Sequence, residues 1–140
     1  MTPTGFEFVE FTQPQLHAAL REMCPAALKA YDAATTKQMR TAWSPMSPTR
    51  FCCYFVSEMV YWHTPAHLTP MALVVPGDST LHRFLIDDYT GKRVDLTCDQ
   101  FDFELDYTRA VKKFYLQTGC TGPSKRAAQL ANILQLRRYR

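Results

Sequence analysis

The chain has 140 residues, 46% of them hydrophobic and 21% charged, with a net charge of +3. That length and balance suit one packed core and argue against a disordered chain. It holds no run of about eighteen apolar residues that could span a membrane, and MTPTGFEFVE lacks the basic and apolar regions of a signal peptide.

The first predicted element is a helix over TQPQLHAALREM, with Thr12 as cap, Pro14 in the first turn and Leu16, Leu20 and Met23 on one face. Pro25 then opens a second helix, AALKAYDAATTKQM, with Ala27, Leu28, Tyr31 and Ala34 on its stripe. These two fill a helical N-terminal part, residues 12–40. TAWSPMSPTR, with two prolines and four Ser/Thr residues, is a loop, and its Trp43 needs cover from water. A third helix follows, with Cys53, Val56, Met59 and Val60 on its buried face. Pro65 and Pro70 end it, and MALVV reads as a short buried strand.

LHRFLIDDYTGKRVDLT has the pattern of a hairpin. His82, Phe84 and Ile86 alternate with Leu81, Arg83 and Leu85, DDYTG is turn chemistry, and KRVDLT is the return strand. CDQFDFELDY, acidic and aromatic, covers the core loosely; TRAVKKFYLQ reads as helical. Pro123 then opens a final helix with Ala127, Leu130, Ala131 and Leu134 inside. Helices, then strands, then a helix make an α+β single domain with a small antiparallel sheet, core 43–128 and a basic C-terminal helix 123–140.

Charge is uneven. Seven of the thirteen acids lie between His82 and Asp106, whereas the last seventeen residues carry Lys125, Arg126, Arg137, Arg138 and Arg140 and no acid. Such a helix can touch nucleic acid or an acidic protein, although cations at a helix C-terminus also suit its dipole. Five cysteines, an odd number with no secretory context, point to free thiols in a reducing, cytoplasmic compartment. No phosphate-binding glycine motif is present. His63 and His67 with Cys52 or Cys53 could imitate a zinc set, but Pro65 separates the histidines and there is no C-x-x-C pair. We expect neither metal nor cofactor.

A thiol becomes nucleophilic as thiolate, which a helix N-terminus and a nearby imidazole both favour. Cys52 and Cys53 stand at a loop-to-helix junction. Among the four histidines, His82 has the best setting, with Asp95 thirteen residues on along the paired strand. A two-residue turn sets them opposite, a four-residue turn over Asp88 to Gly91 sets them diagonally on one face, and a three-residue bulged turn separates them.

Cysteine at a helix start, histidine on a strand and aspartate on the next resembles the order of transglutaminase-like members of the papain-like superfamily. W-S-P-x-x-P-x-x-x-x-C from Trp43 to Cys53, then D-L-T-x-x-Q-F from Asp95 to Phe101, resembles the YunG-like family of small bacterial proteins. GPSKRA, Gly122 to Ala127, is similar to the C-terminal signature of that family's bacteriophage relatives. The resemblance implies a papain-like fold, Cys53 as nucleophile, His82 as base and Asp95 as its orienting carboxylate. Trp43, Ser44 and Ser47 would line the cleft. The chain departs from the family at Cys52, where a polar residue, often glutamine, precedes the nucleophile, and at Phe51, where the family has glycine.

Two main functional expectations follow, with a third beside them. One is an acyl-transfer enzyme acting on an amide, ester or thioester of a protein or small molecule, with backbone N–H groups holding the oxyanion. The other is a binding or inhibitory protein, phage-encoded and working in the bacterial host cytoplasm, that uses the basic helix. A structural phage component is a third.

Overall fold

The computed structural model describes residues 2–27, 43–77, 80–113 and 122–140. Within them lie three α-helices, α1 (Gln13–Ala27), α2 (Cys53–Trp62) and α3 (Lys125–Ile133). Four strands, β1 (Leu68–Val74), β2 (Leu81–Asp87), β3 (Arg93–Val94) and β4 (Val111–Lys112), form one antiparallel sheet in the order β3-β2-β1-β4. The class is α+β.

Helix α1 starts with a reciprocal cap. Thr12 accepts from the Gln15 amide at 3.3 Å while the Gln15 side chain accepts from Thr12 N–H at 2.8 Å, which satisfies two donors the helix cannot. Leu16, Leu20 and Met23 are fully buried, as their spacing predicts. Pro25 does not divide two helices; α1 runs through it to Ala27. A proline in the last turn forfeits a single ladder bond, so the helix survives it. The rest of the predicted second helix lies outside the described residues.

Helix α2 is buried on nearly every side, with Phe55, Val56, Met59, Val60 and Trp62 all under 9% exposed. Such a helix is central rather than amphipathic. It packs on β2 and on α3, and α3 in turn packs on α1. The Ser57 hydroxyl donates to the Arg83 carbonyl at 3.2 Å and bolts α2 to the sheet. At its other face Glu58, 4% exposed, accepts from the amide and hydroxyl of Ser124, the N-cap of α3. A carboxylate at that position suits both the orphan N–H groups and the dipole. In this way the Ser124 of GPSKRA seats α3, with Ala127, Leu130 and Ala131 facing inward.

The final helix is shorter than its sequence suggests. It stops at Ile133, Gln135 takes a left-handed φ of 57°, and residues 137–140 pack against the C-terminal end of α2. Tyr139 N–H donates to the Trp62 carbonyl at 3.0 Å. Arg140 reaches the carbonyls of Tyr61 (2.6 Å), Thr64 (3.1 Å) and Ala66. The carbonyls that α2 leaves open at its end draw the tail away from helical geometry. TRAVKKFYLQ also differs: Tyr107–Arg109 is a 3-10 turn and Val111–Lys112 is strand β4 on the free edge of β1, with residues 114–121 outside the described set.

All of MALVV but Val75 belongs to β1, which begins three residues earlier and pairs along its whole length with β2. On one sheet face Leu85 joins the main core of α1, α2 and α3. On the other, Leu73, Phe84 and Leu105 form a second, smaller core with Met71, Ile86, Phe101 and Tyr107 around it. The acidic aromatic segment therefore covers this second face. The β2–β3 turn is the four-residue form: Asp87 N–H donates to the Lys92 carbonyl at 2.9 Å and Gly91 N–H to the Asp87 carbonyl at 2.8 Å. Beyond β3 the ladder passes to the N-terminal segment, where Thr4 and Asp95 exchange backbone bonds of 3.2 and 2.8 Å. Gly5 beside it has φ of 100°, and a Cβ there would lie 2.6 Å from Val94 Cα, so only glycine fits.

Candidate active site

Cys53 is the first residue of α2, with Cys52 as its N-cap. The first-turn N–H groups of a helix have no intrahelical partner, so the fold sets anion-binding donors beside this thiol. The Cys53 sulfur lies 4.0 Å from the carbonyl of Leu81, one residue ahead of His82. Helix α2 packs across β2, which brings the predicted nucleophile to the predicted base.

The β2–β3 register pairs Leu85 with Val94 and, continued by one residue, sets Asp95 across from Phe84. Asp95 is thus diagonal to His82 on the same face. The His82 Nε2 lies 2.8 and 2.9 Å from the two Asp95 oxygens, and both residues are 1% exposed. A carboxylate on both oxygens makes Nε2–H the donor. The other nitrogen, Nδ1, is buried without a hydrogen-bond partner, and the Cys53 thiol is close enough to act on the ring electrostatically. Burial opposes the imidazolium, but the Asp95 carboxylate outweighs it, and the group is pushed up to about 10. At neutral pH the ring is therefore held protonated, the form that pairs with a thiolate.

Aromatic rings enclose the imidazole. Phe84 stacks at 6.1 Å and Phe101 meets it edge-on at 5.0 Å. Tyr107 donates its hydroxyl to Asp95 Oδ2 at 2.6 Å, and the Arg93 guanidinium lies 4.0 Å above the Tyr107 ring. Burial, then the Asp95 charge, pushes the Tyr107 phenol up, so it stays a donor. Sequence reasoning missed this tyrosine. It lies outside every periodic pattern, and its only signal is its distance of twelve residues from the aspartate.

D-L-T-x-x-Q-F gains a physical reading. Asp95 orients His82, Phe101 covers it, and Gln100 reaches back to the other side of the site. The Gln100 side chain donates to the Thr97 carbonyl at 3.0 Å and accepts from Phe51 N–H at 3.1 Å. Phe51 has φ of 60°, a left-handed conformation that glycine takes without strain. Asp99 in the same turn accepts from Thr49 at 2.7 Å and lies 2.9 Å from His17 of α1. The loop before Cys53 is thereby held from two directions.

Trp43, Ser44 and Ser47 are placed differently. Trp43 is 9% exposed in the main core, with its indole N–H on the Pro48 carbonyl at 2.7 Å. Ser44 and Ser47 close a turn on one another, with a 3.2 Å bond from Ser47 N–H to the Ser44 hydroxyl. Among the described residues none of the three is hydrogen-bonded to Cys53, His82 or Asp95; their bonds shape the loop that precedes Cys53. No three His, Cys, Asp or Glu side chains gather as a metal set among the described residues. His63 Nδ1 lies 3.1 Å from the Arg137 carbonyl, and His67 packs on Tyr89.

Several basic residues of the C-terminal segment are engaged internally. Arg126 lies over Phe55, Arg138 over Trp62 and Arg140 over Tyr61, while Arg137 lies over Tyr139. Burial lowers the Arg126 group to about 10. No helix among the described residues is long and apolar enough to cross a membrane. No protein family, no curated protein and no solved structure matches the chain.

Proposed function

We propose that the protein is a papain-like cysteine enzyme of the YunG-like kind that acts by acyl transfer. The observation that carries this is the buried His82–Asp95 pair with Nδ1 left for the Cys53 thiol. Cys53 attacks the carbonyl of an amide, ester or thioester, and a tetrahedral oxyanion forms at the first N–H groups of α2. The leaving group departs with a proton from His82 Nδ1. His82 then takes a proton from water or an amine as that nucleophile attacks the acyl-cysteine, and the thiolate returns. Asp95 keeps the ring in place throughout, and Tyr107 keeps Asp95 in place.

Selective alkylation tests the reading. Iodoacetamide should modify Cys53 at least about tenfold faster than Cys98 at neutral pH, and His82→Ala should remove the difference. Equal rates for Cys53 and Cys98 would falsify the proposal. A second reading, a binding protein on the same scaffold, draws support from the 8% exposure of Cys53. It predicts equal rates, and loss of partner binding on charge reversal at Lys125 or Arg137.

A further inference from the structure

Cys52 does not share the role of its neighbour. Its sulfur is fully buried and lies 3.9 Å from the sulfur of Cys24 on α1, which is 1% exposed. The Cys52 thiol also reaches the carbonyls of Arg50 at 3.4 Å and Pro48 at 3.5 Å. Burial first, then Cys24, pushes that thiol well up. Two buried thiols in contact, one of them the N-cap of the helix that Cys53 begins, are absent from the acyl-transfer scheme. The sulfurs need to close by only about 2 Å to reach bonding distance.

We propose that Cys24 and Cys52 form a reversible disulfide that couples the redox state of the surroundings to the geometry of Cys53. The oxidant is a small-molecule disulfide of the glutathione type. One protein thiolate attacks it, a mixed disulfide forms and one glutathione thiol leaves. The second protein thiolate then displaces the other glutathione, so two electrons and two protons leave the pair and two thiols are released. Burial of both sulfurs requires local opening of the α1 end before the first step. Once made, the bond takes Cys52 from the Arg50 and Pro48 carbonyls. Phe51, one residue earlier, is pinned in its left-handed conformation by Gln100, so the displacement falls on the Cys52–Cys53 peptide. The bond itself is independent of the enzyme reading, whereas its effect on Cys53 rests on it.

The test equilibrates the wild-type chain in glutathione buffers of stepped oxidised-to-reduced ratio, quenches with acid and maps the cysteines by peptide fragmentation. The expected result is a Cys24–Cys52 link that accumulates in one two-electron transition while Cys98 stays a thiol. In the oxidised protein Cys53 alkylation falls by about tenfold or more and returns with dithiothreitol; Cys24→Ala, checked for folding by circular dichroism, keeps the reduced rate in every buffer. The proposal is overturned if both thiols persist, or carry only glutathione, in the most oxidising buffer. A link from Cys52 to Cys53 overturns it too, as does a Cys24–Cys52 link that leaves the Cys53 rate unchanged. A reduced protein whose Cys53 reacts no faster than Cys98 defeats the enzyme reading instead, and the mapped link still decides the disulfide.

Discussion

His82 and Asp95 meet diagonally across the β2–β3 hairpin, with Nε2 on both carboxylate oxygens at 2.8 and 2.9 Å and neither residue open to water. Everything chemical about the site depends on this pair. It leaves Nδ1 as the one ring nitrogen available to the thiol.

The pair makes stability depend on pH. The folded His82 group is raised to about 10 from an ordinary 6.5, so its contribution is complete below about 6.5 and is lost as pH rises through 10. The buried thiols of Cys52 and Cys98, also raised, act in the same direction. Urea unfolding between pH 6 and pH 10 should therefore show falling stability, with a shallower fall in His82→Gln. Asp95→Ala, which leaves a buried partner alone, should cost about 3–5 kcal/mol near neutral pH. An equal slope in wild type and His82→Gln would show that the ring is not held charged.

Tyr107→Phe removes one hydroxyl and keeps the ring against Phe84 and Arg93. Loss of a hydrogen bond to a carboxylate should cost about 1.5–3 kcal/mol. If the hydroxyl also fixes Asp95, Cys53 alkylation slows and the His82 ring resonances shift in NMR spectra. A loss of stability with both readouts unchanged would reduce Tyr107 to a packing role.

Phe51 carries strain at φ of 60° that glycine would not. Phe51→Gly trades lost packing and chain entropy for relief of that strain and should change stability by no more than about 1 kcal/mol. Phe51→Val, whose branched side chain tolerates the conformation worst, should cost about 1–3 kcal/mol. Thermal melts of the two variants give the comparison directly, and equal melting points would show that the loop relaxes out of the left-handed form.

Arg140 and Arg137 should behave differently despite their shared charge. Arg140→Ala removes the guanidinium from the carbonyls of Tyr61, Thr64 and Ala66 and should cost about 1 kcal/mol or more, whereas Arg137→Ala should stay within about 0.5 kcal/mol. Calorimetric melts decide it. Partner binding is for this reason best tested at Arg137 or Lys125, since loss of binding on changing Arg140 would be confounded by the fold.

Cys53, His82 and Asp95 stood out in the sequence because they belong to strong local patterns. Cys53 begins a stripe of apolar residues, His82 alternates with Phe84 along β2, and DDYTG marks the turn. The turn length was not legible, since two-, three- and four-residue forms all suit that sequence; the Asp87 and Gly91 backbone bonds select among them. Tertiary contacts overrode local preference elsewhere. The open edge of β1 takes Val111 and Lys112 out of a helical pattern, and the end of α2 takes the tail from α3.

The bridge between Thr4 and Asp95 has a practical consequence. The backbone of Asp95 is gripped by a segment some ninety residues away in sequence, and Thr2 adds its carbonyl to the Cys98 thiol at 3.3 Å. A protease cut or a bulky fusion joint within residues 2–5 would therefore reach the imidazole through a single strand pairing. Preparations that differ only in how those first residues are handled would differ in thiol reactivity while sharing every side chain of the site.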